Sequence, residues 1–290
     1  MTTRVSIDGR ISDEAGAVVS VFDRGFLYGD SVFETLRTAG GRLVDRARHL
    51  ERLAQSAATL GFAPTAPDLI ARELDAVLAA AANPESAVRV TLTRGQGPLG
   101  LDPALAGAPR RVVIVQPLRL PAAEVYERGL RAVVSGVERV AARALDPSVK
   151  SGNYLNGIRA VAEAKARGAD EAILCNAAGD IAEAAAANVF AVRAGRVATP
   201  PASAGILVGI TRRRVLELGA AASLSIAEAD LSPAALAAAD EIFVTSSVRG
   251  VVPVTSLDDA PVGDGRPGPV TRVLVARYEA FLAEVAAGKV

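Results

Sequence analysis

Two residues of the chain are of types, and in places, that could do chemistry. Lys150, in the run DPSVKSGNYLNG, lies between a proline-containing turn and a helix start, where a long flexible amine gains little from packing. Such an amine can attack a carbonyl or carry a proton. Glu183, in DIAEAAAANVFAV, stands among alanines just before a β-type run, with Asp180 and Asn188 as its nearest polar neighbours in sequence. A carboxylate in that setting needs a cation, and a protonated heterocyclic nitrogen would serve. By position alone each also fits a bland role, an exposed junction lysine and a solvated turn carboxylate.

A third group has the makings of an anion site. In SAGILVGITRR, Gly205 and Gly209 bracket apolar residues and Thr211 opens a helix, so backbone N–H groups and a hydroxyl converge at a helix N-terminus. Thr245, Ser246 and Ser247 close the β-run DEIFVTSS, and Arg52 offers a cation on an earlier helix. Together they could cradle one phosphate. Singly, such hydroxyls cap helices and turns everywhere.

Other candidates weaken on inspection. Gly95, Gly97 and Gly100 match G-x-G-x-x-G, yet Pro98, Pro103 and Pro109 leave no following helix to meet a pyrophosphate, so a flexible loop bordering a site is expected instead. His49, between Arg48 and Arg52 and off the apolar stripe of its helix, is expected to be solvated or loosely packed. With one His and one Cys, multi-His and multi-thiolate metal sites are excluded, and Cys175 is expected to be an inert core thiol. The 32 Lys+Arg balance 32 Asp+Glu, which argues against a nucleic-acid partner. No leader-like or spanning apolar segment is found, so a cytoplasmic protein without a membrane partner is expected.

These residues need elements to position them. At roughly 150 residues per domain, 290 residues predict two domains, 1–120 and 121–290, with QPLRLPAA as the linker. The first alternates short β-runs with Asp/Gly turns over residues 3–44. Apolar spacing then predicts a helix over 45–60, capped by Asp45, and a second over 67–82, before two more β-runs. The second domain reads as mixed α/β, ending in a helix from about Pro269.

Read jointly, the motifs resemble the class IV, or fold type IV, pyridoxal-phosphate-dependent aminotransferases and their lyase relatives. The resemblance runs from FDRGFLYGDSVFETLR through RARHLERL, LDPSVKSGNYLNG, E-x4-N-V-F and GILVGITRR to DEIFVTSSVRGVVPV. It implies a two-domain α/β fold, a small N-terminal domain carrying substrate residues and a larger cofactor domain, with the cofactor between them. It implies a homodimer whose loops complete the neighbour's site. Lys150 matches the lysine that forms the Schiff base and then moves protons, and Glu183 the carboxylate paired with the pyridine nitrogen. Arg52, Gly209, Ile210, Thr211, Ser246 and Ser247 match the phosphate cup, and Leu207 the apolar residue under the cofactor ring. Tyr154 resembles the tyrosine at the ring hydroxyl, one residue closer to the lysine than in the branched-chain enzymes.

The resemblance places substrate choice on Tyr28, Phe33, Thr35, Arg37, Arg89 and the loop from Gly95 to Leu101. Arg89 matches the branched-chain enzymes, whereas Thr35 and QGPLGLDP resemble 4-amino-4-deoxychorismate lyases. The R-x-H carboxylate trap of D-amino-acid aminotransferases is absent, which leaves Arg37 or Arg89 as the clamp, Arg37 being favoured because it shares a strand face with Phe33 and Thr35. The expected activity is transfer of an amino group between a small L- or D-amino acid, or a primary amine, and a 2-oxo acid. A pyruvate-eliminating lyase and a non-catalytic pyridoxal-phosphate binder are the alternatives.

Overall fold

The computed structural model describes residues 2–290 and divides into two compact units. The first comprises the chain up to Arg119 together with Val149–Asn153 and Leu282–Val290. Its elements are β1 (Arg4–Ile7), β2 (Arg10–Ser12), α1 (Arg24–Tyr28), β3 (Ser31–Ala39), β4 (Arg42–Leu43), α2 (Arg46–Thr59), α3 (Pro67–Ala81), β5 (Ser86–Thr93) and β6 (Arg110–Pro117). The strands form one antiparallel sheet in the order β2-β1-β6-β5-β3-β4.

Strand alternation gives that sheet two different faces. Val32, Leu36, Val88, Val90, Leu92, Val113 and Val115 bury one face against Leu53 and Ala57 of α2 and Ile70, Leu74 and Val77 of α3. The residues between them, Phe33, Thr35 and Arg37 on β3 with Arg89 and Thr91 on β5, occupy the other face. Both helices fall where their periodicity put them. Asp45 sits at the N-cap of α2, but in the left-handed region and with no capping hydrogen bond from its side chain, which lies 3.8 Å from Arg48 instead.

The segment around Lys150 packs with this first unit. Val149 is buried in its core, the Phe33 N–H donates to the Lys150 carbonyl at 2.9 Å, Ser151 bridges to Val32, and the Gly152 N–H donates to the Ser31 carbonyl at 2.7 Å. A short stretch of chain thus runs alongside the start of β3. Gly152 lets the two segments come this close, since a Cβ there would stand 2.1 Å from Ser31 Oγ and force that side chain to move.

The second unit, Leu120–Ser148 with Tyr154–Phe281, contains a nine-stranded mixed sheet. In chain order its elements are α4 (Ala123–Arg128), β7 (Leu130–Val134), α5 (Leu155–Ala166), β8 (Glu171–Cys175), β9 (Ile181–Ala184), β10 (Asn188–Arg193), β11 (Arg196–Thr199), α6 (Ile210–Ala221), β12 (Ser225–Glu228), α7 (Pro233–Ala237), β13 (Glu241–Ser246), β14 (Gly250–Leu257), β15 (Ala260–Pro261) and α8 (Pro269–Ala286), whose final turn falls in the first unit. The main path is β12-β11-β10-β13-β14-β7-β8-β9, with β15 on β14. Leu130, Ile173, Ile181, Val189, Ile242 and Val252 lie in its core. Among the described residues no helix is long and apolar enough to cross a membrane.

Candidate active site

Within the first unit, Lys150 is brought to the outer face of the sheet. Its Nζ stands 4.6 Å from the centre of the Phe33 ring, and the Arg89 guanidinium lies over the same ring at 3.6 Å. One buried phenyl ring therefore organises two cations by cation–π attraction. Arg37, two residues from Thr35 on the same face, donates from Nε to the Thr38 carbonyl at 3.2 Å. Arg89 and Lys150 thus share the Phe33 ring.

Beneath the opposite face lies a charged cluster that periodicity could not reveal. Glu34, 0 % exposed, accepts from Arg52 Nε at 2.6 Å and Nη2 at 2.8 Å. His49 Nδ1 lies 2.7 Å from Glu34 Oε2, and an ionised carboxylate only accepts, so that nitrogen carries the hydrogen. Burial raises the Glu34 pKa, but the hydrogen bonds and charges of Arg52 and His49 more than reverse this and hold it at about 2. His49 is thus 2 % exposed and not solvated. Its polar partner, invisible in the helix pattern, draws it inward.

The loop after β5 is braced rather than flexible. Arg24, buried on α1, donates to the carbonyls of Gly100 at 2.9 Å and Leu101 at 3.2 Å, while Asp30 accepts from both Arg24 and Arg94. The Gly100 N–H donates to the Tyr28 hydroxyl at 3.0 Å. The glycine spacing has a steric cause: a Cβ on Gly95 would stand 2.1 Å from the Ala108 carbonyl oxygen, and one on Gly97 2.3 Å from that of Leu105.

In the second unit the Glu183 carboxylate, on β9, is surrounded by donors. Arg139 Nε donates to Oε1 at 2.7 Å, and the Leu207 N–H and Asn188 Nδ2 donate to Oε2 at 3.1 and 3.3 Å. Asn188 also donates to the Leu207 carbonyl at 2.8 Å, so one amide ties the carboxylate to the Leu207 backbone. Sequence proximity had offered Asn188 as a partner. Arg139, 44 positions away, was not foreseen.

Two residues beyond Leu207, Gly209 forms the N-cap of the 12-residue helix α6 with no side-chain cap, followed by Ile210 and the buried Thr211. A Cβ on Gly209 would meet Asn188 Oδ1 at 2.0 Å, so the chain approaches the Asn188 amide closely only because no side chain intervenes. Ser246 and Ser247 leave the end of β13, whose Thr245 pairs in register with Asn188. Tyr154 is the N-cap residue of α5. Cys175 is half-buried, and burial, with Asp180 and Glu138, pushes its thiol pKa up, away from nucleophilic use. No group of metal-ligating side chains is found among the described residues.

This arrangement coincides with a known family. The model of the family described as amino-transferase class IV matches residues 31–257, from the first residue of β3 to the last of β14. The chain belongs to the class IV aminotransferases. It is 30 % identical over 285 residues to a D-alanine aminotransferase of Bacillus licheniformis, covering 98 % of this chain and 99 % of that one. It is 31 % identical over 302 residues to the branched-chain-amino-acid aminotransferase of Escherichia coli K12, covering 98 % and 96 %. A T.th. branched-chain amino acid aminotransferase, solved with pyridoxamine 5'-phosphate, superposes with a TM-score of 0.92 at 28 % identity over 99 % and 95 % of the two chains. This class IV aminotransferase is accordingly a transaminase of mixed α/β fold.

Proposed function

We propose that this class IV aminotransferase moves an amino group between a small amino acid and a 2-oxo acid with pyridoxal 5'-phosphate as its cofactor. The observation that carries the reading is the buried Glu183 carboxylate, held by donors at 2.7 to 3.3 Å in a setting suited to a protonated ring nitrogen. The uncapped start of α6 adds N–H donors for a phosphate, and Gly209 lets that helix start lie directly against the Asn188 amide that holds Glu183. The residues present therefore fit the cofactor.

When bound, pyridoxal phosphate takes up the electrons released as the amino donor loses its α-proton. Lys150 supplies the amine for covalent attachment and then carries that proton at Nζ, a general acid–base role worth roughly 10² to 10⁴ in rate. Glu183 holds positive charge at the ring nitrogen. Arg52, Ile210, Thr211, Ser246 and Ser247 hold the phosphate, Tyr154 the ring hydroxyl, and Leu207 the face of the ring. Arg52 can do so with a fixed guanidinium plane, because Glu34 grips its Nε and Nη2.

Substrate selection falls to Tyr28, Phe33, Thr35, Arg37 and Arg89, with Arg89 as the carboxylate clamp because it shares the Phe33 ring with Lys150. The exposed Val18, Val21, Phe22, Phe26, Leu99 and Leu101 stand on two adjacent segments, joined by the bond from the Gly97 N–H to the Phe22 carbonyl. A second copy of the chain is the proposed cover for that surface, giving a homodimer. A reducing cytoplasm suits a chain with a single thiol.

The test is an absorbance scan of purified protein with pyridoxal phosphate, then a panel of L- and D-amino acids with and without a 2-oxo acid. Turnover that requires the oxo acid supports the reading and names the substrate. Thr35 on the Arg89 face supports the lyase as second reading, and pyruvate release from aminodeoxychorismate without an acceptor would establish it instead. Light scattering in the same buffer reports whether the chain is dimeric.

A further inference from the structure

Glu183 and its donors leave one residue whose task the proposed reaction does not yet state. Arg139 lies outside any helix or strand, beyond the end of β7. Its backbone N–H is tied to the Cys175 carbonyl at 2.8 Å, at the end of β8, and its guanidinium reaches Glu183 on the neighbouring strand β9. Both side chains are largely enclosed, 20 % and 11 % exposed, so this pair is not a solvent-screened surface contact. The two carboxylate oxygens are divided between partners of different kind. Oε1 faces the cation, and Oε2 faces two neutral amides.

We infer that Arg139 is a positioning residue that acts through Glu183, holding its carboxylate ionised and fixed in direction toward the ring nitrogen. The inference rests on the proposed cofactor reading. A proton shared between a carboxylate and a ring nitrogen sits on whichever is the stronger base in place. A guanidinium 2.7 Å from the carboxylate stabilises its anionic form, so the proton stays on the nitrogen. The neutral donors at Oε2 orient the group but add no charge. Without Arg139 the carboxylate becomes the stronger base, the proton moves toward it, and the positive charge that draws electrons from the substrate is lost.

The shape of the side chain matters along with its charge. A guanidinium donates in a fixed plane, whereas a lysine ammonium is a point charge on a flexible stem. Arg139→Lys should therefore restore the charge effect in part, and Arg139→Met, of similar length, should restore none of it.

The test reconstitutes wild type, Arg139→Met and Arg139→Lys with pyridoxal phosphate labelled with ¹⁵N in the ring, and reads the ring-nitrogen resonance by NMR. Wild type should show a protonated ring nitrogen. In Arg139→Met the resonance should move toward the unprotonated position, and loss of the donor's α-proton in a single half-reaction should slow about tenfold to a hundredfold, the range spanned by one charge-assisted hydrogen bond. Arg139→Lys should lie between the two. Thermal melts of all three show whether they are folded, and should Arg139→Met fail to fold, Arg139→Lys decides alone. A wild-type resonance and half-reaction rate in the folded variants would overturn the inference. Failure of the cofactor reading looks different: borohydride reduction of wild type would then fix no label on the peptide containing Lys150.

Discussion

Replacing Glu34 by Gln tests the buried cluster under the first sheet, because the amide has the shape of the protonated acid. The carboxyl is held at about 2 in the folded protein against 4.5 for the free group. At 1.36 kcal/mol per pK unit, ionisation of Glu34 contributes about 3 kcal/mol of stability at pH 7. The sign follows from the depressed folded value. The contribution is complete above the unfolded pKa of 4.5, shrinks as pH falls, and vanishes near pH 2, so about 1 kcal/mol should remain at pH 3. The assay is the difference in unfolding free energy between wild type and Glu34→Gln, from urea titrations followed at several pH values from 3 to 7. The variant should also bind pyridoxal phosphate more weakly, since Arg52 loses one of the two oxygens that fix its plane. A stability difference that does not change with pH, or none at pH 7, would refute the assignment of charge to Glu34.

Further outcomes follow from the same geometry. Lys150→Ala should remove the cofactor absorption that borohydride can fix while leaving the melting profile near wild type; a retained band and near-normal turnover would exclude Lys150. Arg52→Ala and Thr211→Ala should each weaken cofactor binding, by about 1.5 to 3 kcal/mol for the arginine and less for the hydroxyl, as read from the dissociation constant. Glu183→Gln should cost more than charge alone, because its NH₂ must face either Arg139 or the Leu207 N–H and Asn188 amide; half-reaction rates equal to wild type would remove Glu183 from the mechanism. Arg89→Ala should lower the specificity constant for amino acids about thirtyfold, as for a lost contact of roughly 2 kcal/mol, and spare carboxylate-free amines such as 1-phenylethylamine; equal losses for both would exclude it as the clamp.

The parts legible in the sequence are those governed by short-range pattern. Apolar spacing placed α2 and α3 within a residue or two, since each buries a single stripe on one sheet. Order and spacing of motifs made the family plain. What escaped is set by contacts between residues distant in sequence. The strand bearing Glu183 is four residues long and half alanine, with all four residues buried and so no alternation to reveal it. Arg139 reaches Glu183 across 44 positions, and His49 is buried by a glutamate on another element. Gly95 and Gly97 of RGQGPLG were visible, but their cause, carbonyl oxygens 2.1 and 2.3 Å from an added Cβ, lies in Ala108 and Leu105.

The first unit is assembled from three stretches of chain, and this constrains how the protein emerges from a ribosome. Residues 282–290 belong to it: a Cβ on Gly40 would meet Ala286 at 2.7 Å, and one on Gly288 would approach the Arg42 guanidinium at 3.1 Å. At roughly 5 to 20 residues per second, these residues are made some 8 to 30 seconds after Arg119. During that interval the β3–β4 turn lacks its final cover, and until residues 149–153 appear the start of β3 is paired on its β5 side only. The lysine-bearing stretch is synthesised after every strand of the first sheet and before most of the second unit. Nascent chains halted so that residue 145 or residue 160 is the last to have left the ribosome's exit tunnel should therefore differ sharply in protease resistance of the first unit, and a vector encoding residues 120–290 alone would yield the lysine without the strand that receives it.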